Sequence, residues 1–219
     1  MCDFHDHDLE PLAADEWVLD TDVVRRFIGD VRQRISLAGT REQACAAVEP
    51  AFAALLLNRD WLPAVYQERS HDSGMGGGIG QWLLYRSADR SLCLFSLVVP
   101  PAAMTPIHDH LAWGLIGLYR GGQDEEIYQA GEGAIRVVRQ RPVAVGDYYR
   151  LLPPDNDVHR VRTTSHETSV SIHLLANDTG CVLRHTYDEQ TGARHAFRSG
   201  YVNAACEQPP ITAHAGTAS

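Results

Sequence analysis

The stretch Thr105-Pro106-Ile107-His108-Asp109-His110-Leu111-Ala112-Trp113-Gly114 holds the residues best spaced for chemistry, and His159 stands well downstream of it. Alternate residues of a β-strand point to one side, so His108 and His110 project together while Asp109 turns away. Two neutral nitrogen donors are thereby aimed at one point. Imidazole is the commonest protein ligand for iron, zinc, copper and nickel, and one cation is held by donors from at least two chain segments. His159 is the third candidate, and His108, His110 and His159 together read as a metal site. Most of the 11 histidines need no such role. His5 and His7 repeat the His-Asp-His pattern, but within a polar N-terminus that lacks any apolar strand, and they read as solvated and frayed.

Two further motifs invite chemistry. Ser73-Gly74-Met75-Gly76-Gly77-Gly78-Ile79-Gly80 has the composition of a phosphate cradle, yet it leads into the strand pattern Gln81-Trp82-Leu83-Leu84-Tyr85-Arg86. A phosphate loop needs a helix N-terminus beside it, so a flexible loop or lid is the better reading. Ser171 and His173 share one face of a strand, and taken alone they read as an internally satisfied polar pair. Composition excludes other classes. A formal net charge of -9 argues against nucleic acid or an anionic membrane as partner. No apolar run approaches the roughly 20 residues needed to span a bilayer. The opening residues, with Asp3, Asp6, Asp8 and Glu10, make no signal peptide, so a cytoplasmic location is expected. The cysteines, Cys2, Cys45, Cys93, Cys181 and Cys206, form an odd set without a CxxC pair, which suits free thiols in a reducing compartment.

The elements that must position these residues follow from periodicity. Asp20 or Thr21 can cap a helix whose apolar positions Val23, Val24, Phe27, Ile28, Val31 and Ile35 recur at helical spacing. Thr40 caps a second helix through Cys45, Val48, Phe52 and Leu55, kinked at Pro50 and closed near Asn58. Short strands are predicted at 81–86, 92–99, 111–119, 124–129, 134–139, 147–151, 158–163, 168–175 and 181–187. Even spacing without intervening helices means an antiparallel barrel or sandwich. The division expected is a helical segment over 1–60 packed on a barrel over 61–203, then a disordered tail over 204–219.

The two histidine segments resemble the motifs of the cupins, small jelly-roll barrels (double-stranded β-helices) that hold a metal inside. His108-Asp109-His110 with Gly121 is similar to the first motif. Gly146 through Pro154-Asp155-Asn156-Asp157-Val158-His159 is similar to the second, with Asn156 where glycine is usual. Asn is the next residue type most willing to adopt the left-handed conformation. The carboxylate ligand usual after His-x-His would fall at Gly114 or Leu115, and neither binds metal. A divalent ion held by three histidines keeps its full charge and favours an anionic substrate, a thiolate or an enolate.

Within the cupins, several stretches resemble the cysteine dioxygenase-type thiol dioxygenases and their bacterial 3-mercaptopropionate dioxygenase-like branch. These are His108-Asp109-His110 with Trp113-Gly114-Leu115-Ile116-Gly117, Asp157-Val158-His159-Arg160-Val161, and Ser169-Val170-Ser171-Ile172-His173. The resemblance covers roughly residues 60 to 203. It implies a mainly β jelly-roll with N-terminal α-helices and a non-haem iron dioxygenase that places both atoms of O2 on a thiol sulfur. It further implies Fe(II) on His108, His110 and His159, Ser171 and His173 as catalytic outer-sphere residues, and Gln81 and Arg184 as substrate-binding residues. Arg86, Arg160 and Arg162 are further candidates for the substrate carboxylate. Trp113 should line the barrel. The tyrosine expected two residues after His173 is Leu175, so Tyr119, Tyr128, Tyr148 or Tyr149 would have to supply a hydroxyl. The expected partners are a small thiol (3-mercaptopropionate, mercaptosuccinate or a cysteine-like molecule) and O2, for a monomer or small homo-oligomer. Two other readings stand beside this one: a three-histidine dioxygenase cleaving a carbon-carbon bond of an enolisable or phenolic substrate, and a non-catalytic metal- or ligand-binding cupin. Three imidazoles also suit Zn, Ni, Co or Mn.

Overall fold

The computed structural model describes residues 9–129 and 134–213. The readings of His5 and His7, and of the last residues of the tail, lie outside these. In chain order the elements are β1 (Glu16–Trp17), α1 (Asp22–Ser36), α2 (Arg41–Leu57), a 3-10 turn (Ala64–Gln67), β2 (Gly80–Arg86), β3 (Cys93–Val99), β4 (Gly114–Arg120), β5 (Gln123–Gln129), β6 (Arg136–Val143), β7 (Tyr148–Leu151), β8 (His159–Thr163), β9 (Ser169–Leu175), β10 (Arg184–Tyr187) and β11 (Arg194–Phe197).

Both helices begin where capping chemistry places them. Thr21 accepts from the Val24 amide and Thr40 from that of Gln43. Asp20, the other possible cap, instead pairs with Arg25 at the surface. Helix α2 runs through Pro50 to Leu57, so the proline does not end it. All strand pairing is antiparallel. One sheet has the order β1-β2-β3-β9-β4-β7, a second the order β6-β5-β8, and β10 pairs with β11. The result is a mainly β jelly-roll with helices on one outer face.

Each face of the large sheet is buried against something different. Leu84, Leu94, Val98, Leu115, Val170, Ile172 and Leu174 pack outward against Val24, Phe27, Ile28 and Val31 of α1 and Val48, Phe52, Leu55 and Leu56 of α2. Leu83, Phe95, Leu97, Ile116, Leu118 and Leu175 point inward and form the floor of a cup. Double coverage explains why β3 and β9 are buried throughout and read as unbroken apolar runs. Gly117 is where α2 and β4 close up: a Cβ there would collide with Leu56 and Phe52.

Several expectations change. The strand foreseen at 111–119 starts at Gly114, because Leu111 adopts φ +54 and turns the chain first. The one foreseen at 181–187 starts at Arg184, and β11 lies beyond the range read as sheet. Residues 204–213 were assigned to the tail, yet Ile211 exchanges backbone hydrogen bonds with Arg198 and Ala213 donates to the Gly74 carbonyl. Cys206 is bonded to Cys181, which overturns the expectation of free thiols for that pair; Cys45 and Cys93 are free and buried. A reducing compartment loses this support. No helix of the described residues is long and apolar enough to cross a membrane.

Candidate metal centre

The ligand loop is a hydrogen-bonded hub rather than a strand. His108 and His159 exchange backbone hydrogen bonds at 3.0 Å each way, and His108 also bridges to Thr186 of β10. His108 thus joins β8 to β10 across the mouth of the cup. Asp109 does turn away from its neighbours. Its carboxylate accepts from the His185 amide (2.8 Å), from His185 Nδ1 (2.8 Å) and from the Tyr187 hydroxyl (2.9 Å), which anchors the loop to β10. The turn after His110 is held by Asp157, which accepts from the amides of His110 (2.9 Å) and Leu111 (3.2 Å), and by Asn177, which donates to the His110 carbonyl (3.0 Å). A non-glycine residue in the left-handed region is disfavoured, and such strain persists only where neighbours over-determine it. The left-handed turn read for Asn156 is present at φ +57.

His108, His110 and His159 are buried, and one ligand atom from each lies within 4.8 Å of the others. Ring centroids are 4.8 to 4.9 Å apart. His108 Nδ1 faces the Pro106 carbonyl at 2.9 Å and His159 Nδ1 faces the Glu125 carboxylate at 2.8 Å, which leaves each Nε2 free for an ion. His110 Nδ1 lies 3.3 Å from Asp157 but makes no well-aligned hydrogen bond. Burial, then the positive charges around it, holds the pKa of His108 well below 6.5, and the same holds for His110. The neutral imidazole that a metal requires is thus the stable form in solution near neutrality. Three converging imidazoles, those of His108 and His159 with an oriented second nitrogen, fit a divalent first-row ion.

Among the described residues no carboxylate joins them in the ligand set. A side chain at Gly114 would collide with the Leu174 carbonyl, and Leu115 points outward beneath the helices. The negative charge sits one layer back, on Glu125. Burial raises its carboxyl pKa, but the hydrogen bonds and charges of His159 and Arg141 outweigh that and hold it below the ordinary value. Glu125 was missed in the sequence. The available signal was alternation: Glu125 shares a strand face with buried Ile127, an odd place for an acid unless it has a partner.

The sheet register places the other expected residues. Leu83, Phe95, His173, Ile116 and Tyr149 form one inward row across β2, β3, β9, β4 and β7, and Gln81, Leu97, Ser171 and Leu118 form the next. Gln81, Ser171 and His173 therefore share the inner face. Ser171 Oγ and His173 Nε2 are 2.9 Å apart, and the His173 ring stacks on Phe95 and lies 6.5 Å from that of His110. Leu175 packs among the inner apolar residues. Of the four tyrosines considered, Tyr149 faces in. Tyr119 donates to the Arg59 carbonyl, Tyr128 to Glu126, and Tyr148 is exposed. Burial, then the nearby Glu125 charge, pushes the Tyr149 phenol well above its usual pKa, so it stays protonated.

The arginines fall differently from expectation. Arg184 is buried and donates to the carbonyls of Asp109 (2.7 Å) and Thr179 (3.2 Å) and to Ser199 Oγ (2.8 Å) while lying over Phe197. With each guanidinium nitrogen engaged within the chain, it is not an open carboxylate fork. Burial lowers its pKa to about 10, so it remains a cation whose field reaches His108, His110 and His173. Arg86 pairs with Glu16 and Asp178, Arg160 with Glu126 and Glu189, and Arg162 with Asp124. Trp113 packs toward the helices instead of lining the barrel. A cleft of about 790 Å³ opens on the outer side of the ligand loop, lined by Asp109, Asp157, His185 and Tyr187 and by none of the three imidazoles.

Fold and site together define a jelly-roll cup with a three-histidine metal centre. No family model matches the chain. Among solved structures it is similar to an oxalate decarboxylase of Lactobacillus farciminis, at 13% identity and a TM-score of 0.35, over 41% of this chain and 25% of that one. It is also similar to the Cupin_2 domain of an XRE family transcriptional regulator from Enterobacter cloacae, at 14% identity and a TM-score of 0.35, over 44% of this chain and 94% of that one. The Cnp3 cupin domain of Schizosaccharomyces pombe matches at 12% identity and a TM-score of 0.37, over 46% of this chain and 62% of that one. The chain thus matches a quarter of the decarboxylase and less than two thirds of the Cnp3 domain. Each likeness spans under half of the chain, and the architecture described above rests on its own strand register.

Proposed function

We propose that the protein is an Fe(II)-dependent thiol dioxygenase, converting a small carboxylate-bearing thiol and O2 to the sulfinate (R–S⁻ + O2 → R–SO2⁻). The observation that carries this reading is a trio of buried imidazoles with no carboxylate beside them among the described residues, facing an inner wall on which Gln81, His173 Nδ1 and the Tyr149 hydroxyl lack well-aligned partners. Bound iron would supply a common site for thiolate and O2 and the redox chemistry that joins them. The chain's own residues do the rest. His108, His110 and His159 hold the ion with no charge of their own, leaving the negative contribution to the substrate. Arg184 adds a buried positive field that favours an anion without touching it. Gln81, fully buried with both amide atoms unsatisfied, meets the distal end of the substrate. Ser171 orients His173, and His173 Nδ1, unpartnered among the described residues, is left for the ligand. Phe95, Leu97, Ile116 and Leu118 exclude water. The partners are the thiol and O2, with no nucleic acid and no membrane surface, and the protein works as a monomer or small homo-oligomer.

The test is anaerobic reconstitution with Fe(II), followed by O2 uptake and product mass across 3-mercaptopropionate, mercaptosuccinate, cysteine and a set of enolisable and phenolic compounds. We expect uptake with at least one thiol and a product heavier by the mass of O2. Iron-loaded protein that yields no sulfinate from any thiol rejects the reading, and uptake confined to the enolisable or phenolic set replaces it with carbon-carbon cleavage.

A further inference from the structure

Resting on the thiolate reading, we infer that Tyr149 is a ligand-binding residue of the cup, its hydroxyl donating a hydrogen bond to the anion that enters between it and His173. Register places the two side chains in one inward row, two strands apart. Ile116 of β4 lies opposite Tyr149 on one side and His173 on the other, so both rings rise from one inward row. They stand against different members of the imidazole trio, Tyr149 at 6.4 Å from the His159 ring and His173 at 6.5 Å from that of His110. Both are buried, and both end in a polar atom with no well-aligned hydrogen bond among the described residues: the Tyr149 hydroxyl and His173 Nδ1. Gln81, one row along, repeats the condition at both amide atoms. Buried polar groups without partners are rare and costly, and three on one wall of one cup call for a polar occupant.

Glu125 stands close enough for its charge and its acceptor oxygens to help hold the phenol protonated, yet the hydroxyl makes no well-aligned hydrogen bond to it, and its two oxygens face His159 Nδ1 and Arg141 Nε. Arg141 also lies over the Tyr149 ring at 4.1 Å, which fixes the ring while leaving the hydroxyl unspent. The other inward tyrosine, Tyr201, is committed, donating to Asp178 and accepting from the Gly180 amide.

The test is Tyr149→Phe, read in two ways. Co(II)-loaded protein is titrated anaerobically with 3-mercaptopropionate and followed by sulfur-to-cobalt charge-transfer absorption, and the metal-free protein is melted. Loss of one hydrogen bond to a charged ligand should weaken binding roughly tenfold to a hundredfold. The melting temperature should hold or rise, since an unpaired hydroxyl leaves the interior. Unchanged affinity overturns the inference, whatever the melting temperature does. A loss of affinity matched by Ile116→Val, which removes no polar atom, marks general loosening of the wall and also overturns it. Wild-type protein that takes up no thiol at all rejects the thiolate reading beneath, a result distinct from either.

Discussion

The chemistry of the cup depends on which nitrogen of each imidazole is left over, and that is set by groups the ligand motif does not contain. Pro106 offers a backbone carbonyl to His108, and Glu125 offers a carboxylate to His159. Such partners fix ring orientation and raise ligand basicity, and their loss typically weakens metal binding by roughly 10 to 100 times. We expect Glu125→Gln to weaken Fe(II) or Co(II) affinity by about that factor while the metal-free fold survives; chelator competition measures the first and circular dichroism the second. At this scale the sequence was legible where spacing carried the message. His108 and His110 are close in the chain and Asp109 between them faces away, as alternation predicts, although the segment is a bridged loop and it is the bonds to His185 and Tyr187 that hold Asp109 there. Glu125, Arg141 and Tyr149 were not singled out as a group, because their meeting with His159 is a product of sheet register between distant strands. Arg184 was misjudged for a related reason: a motif position cannot say that three oxygens of the chain itself will occupy a guanidinium.

Elements position the trio by mutual tethering. Asp109 clamps the ligand loop to β10, and Asp157 and Asn177 hold the left-handed turn at Leu111. We expect Asp109→Ala to release β10 from the loop and to lower metal affinity more than stability, a contrast that chelator competition and urea unfolding together resolve. On the opposite face the helices are seated by absence of a side chain. Gly117→Ala would drive a methyl into Leu56 and Phe52, and overpacking of this kind costs roughly 1–3 kcal/mol, to be read as a lower urea midpoint at unchanged slope. Most strands were legible because both faces of the large sheet are covered, giving continuous apolar runs between turn residues. The start of β4 was not, because strain at Leu111 leaves no compositional mark. β1, at two residues, is too short to show a period.

At the scale of the whole molecule, the C-terminal segment is part of the barrel wall. Tyr201 packs on Phe95, which stacks on His173, and the Cys181–Cys206 bond ties the segment down. Residues this small and polar look like a tail in composition, and only pairing across the fold shows otherwise. With its cysteines 25 positions apart in the sequence, the bond should contribute about 3 kcal/mol, so Cys206→Ser should lower the unfolding free energy by that order in denaturant titration. The buried cup also sets a pH response. Burial, then repulsion from the neighbouring imidazoles of His110 and His159 when protonated and from the Arg184 cation, holds the His173 pKa well below 6.5. Above pH 6.5 the ring is neutral whether the chain is folded or not. As the pH falls through 6.5 the unfolded chain binds a proton that the folded chain refuses, so stability declines by about 1.4 kcal/mol per pH unit until the lower folded pKa is reached. We expect His173→Gln to remove that one-proton slope from the stability of the metal-free protein as the pH is lowered from 6.5, measured by denaturant titration.

The central claim is that three imidazoles, with no acid among them, hold one ion open to a thiolate. X-ray absorption of the Fe(II) protein before and after anaerobic addition of 3-mercaptopropionate tests it most directly. We expect histidine nitrogens at about 2.1 Å in both states and a new sulfur at about 2.3 Å once the thiol is present. A first shell dominated by carboxylate oxygens, or one that gains no sulfur, would contradict it.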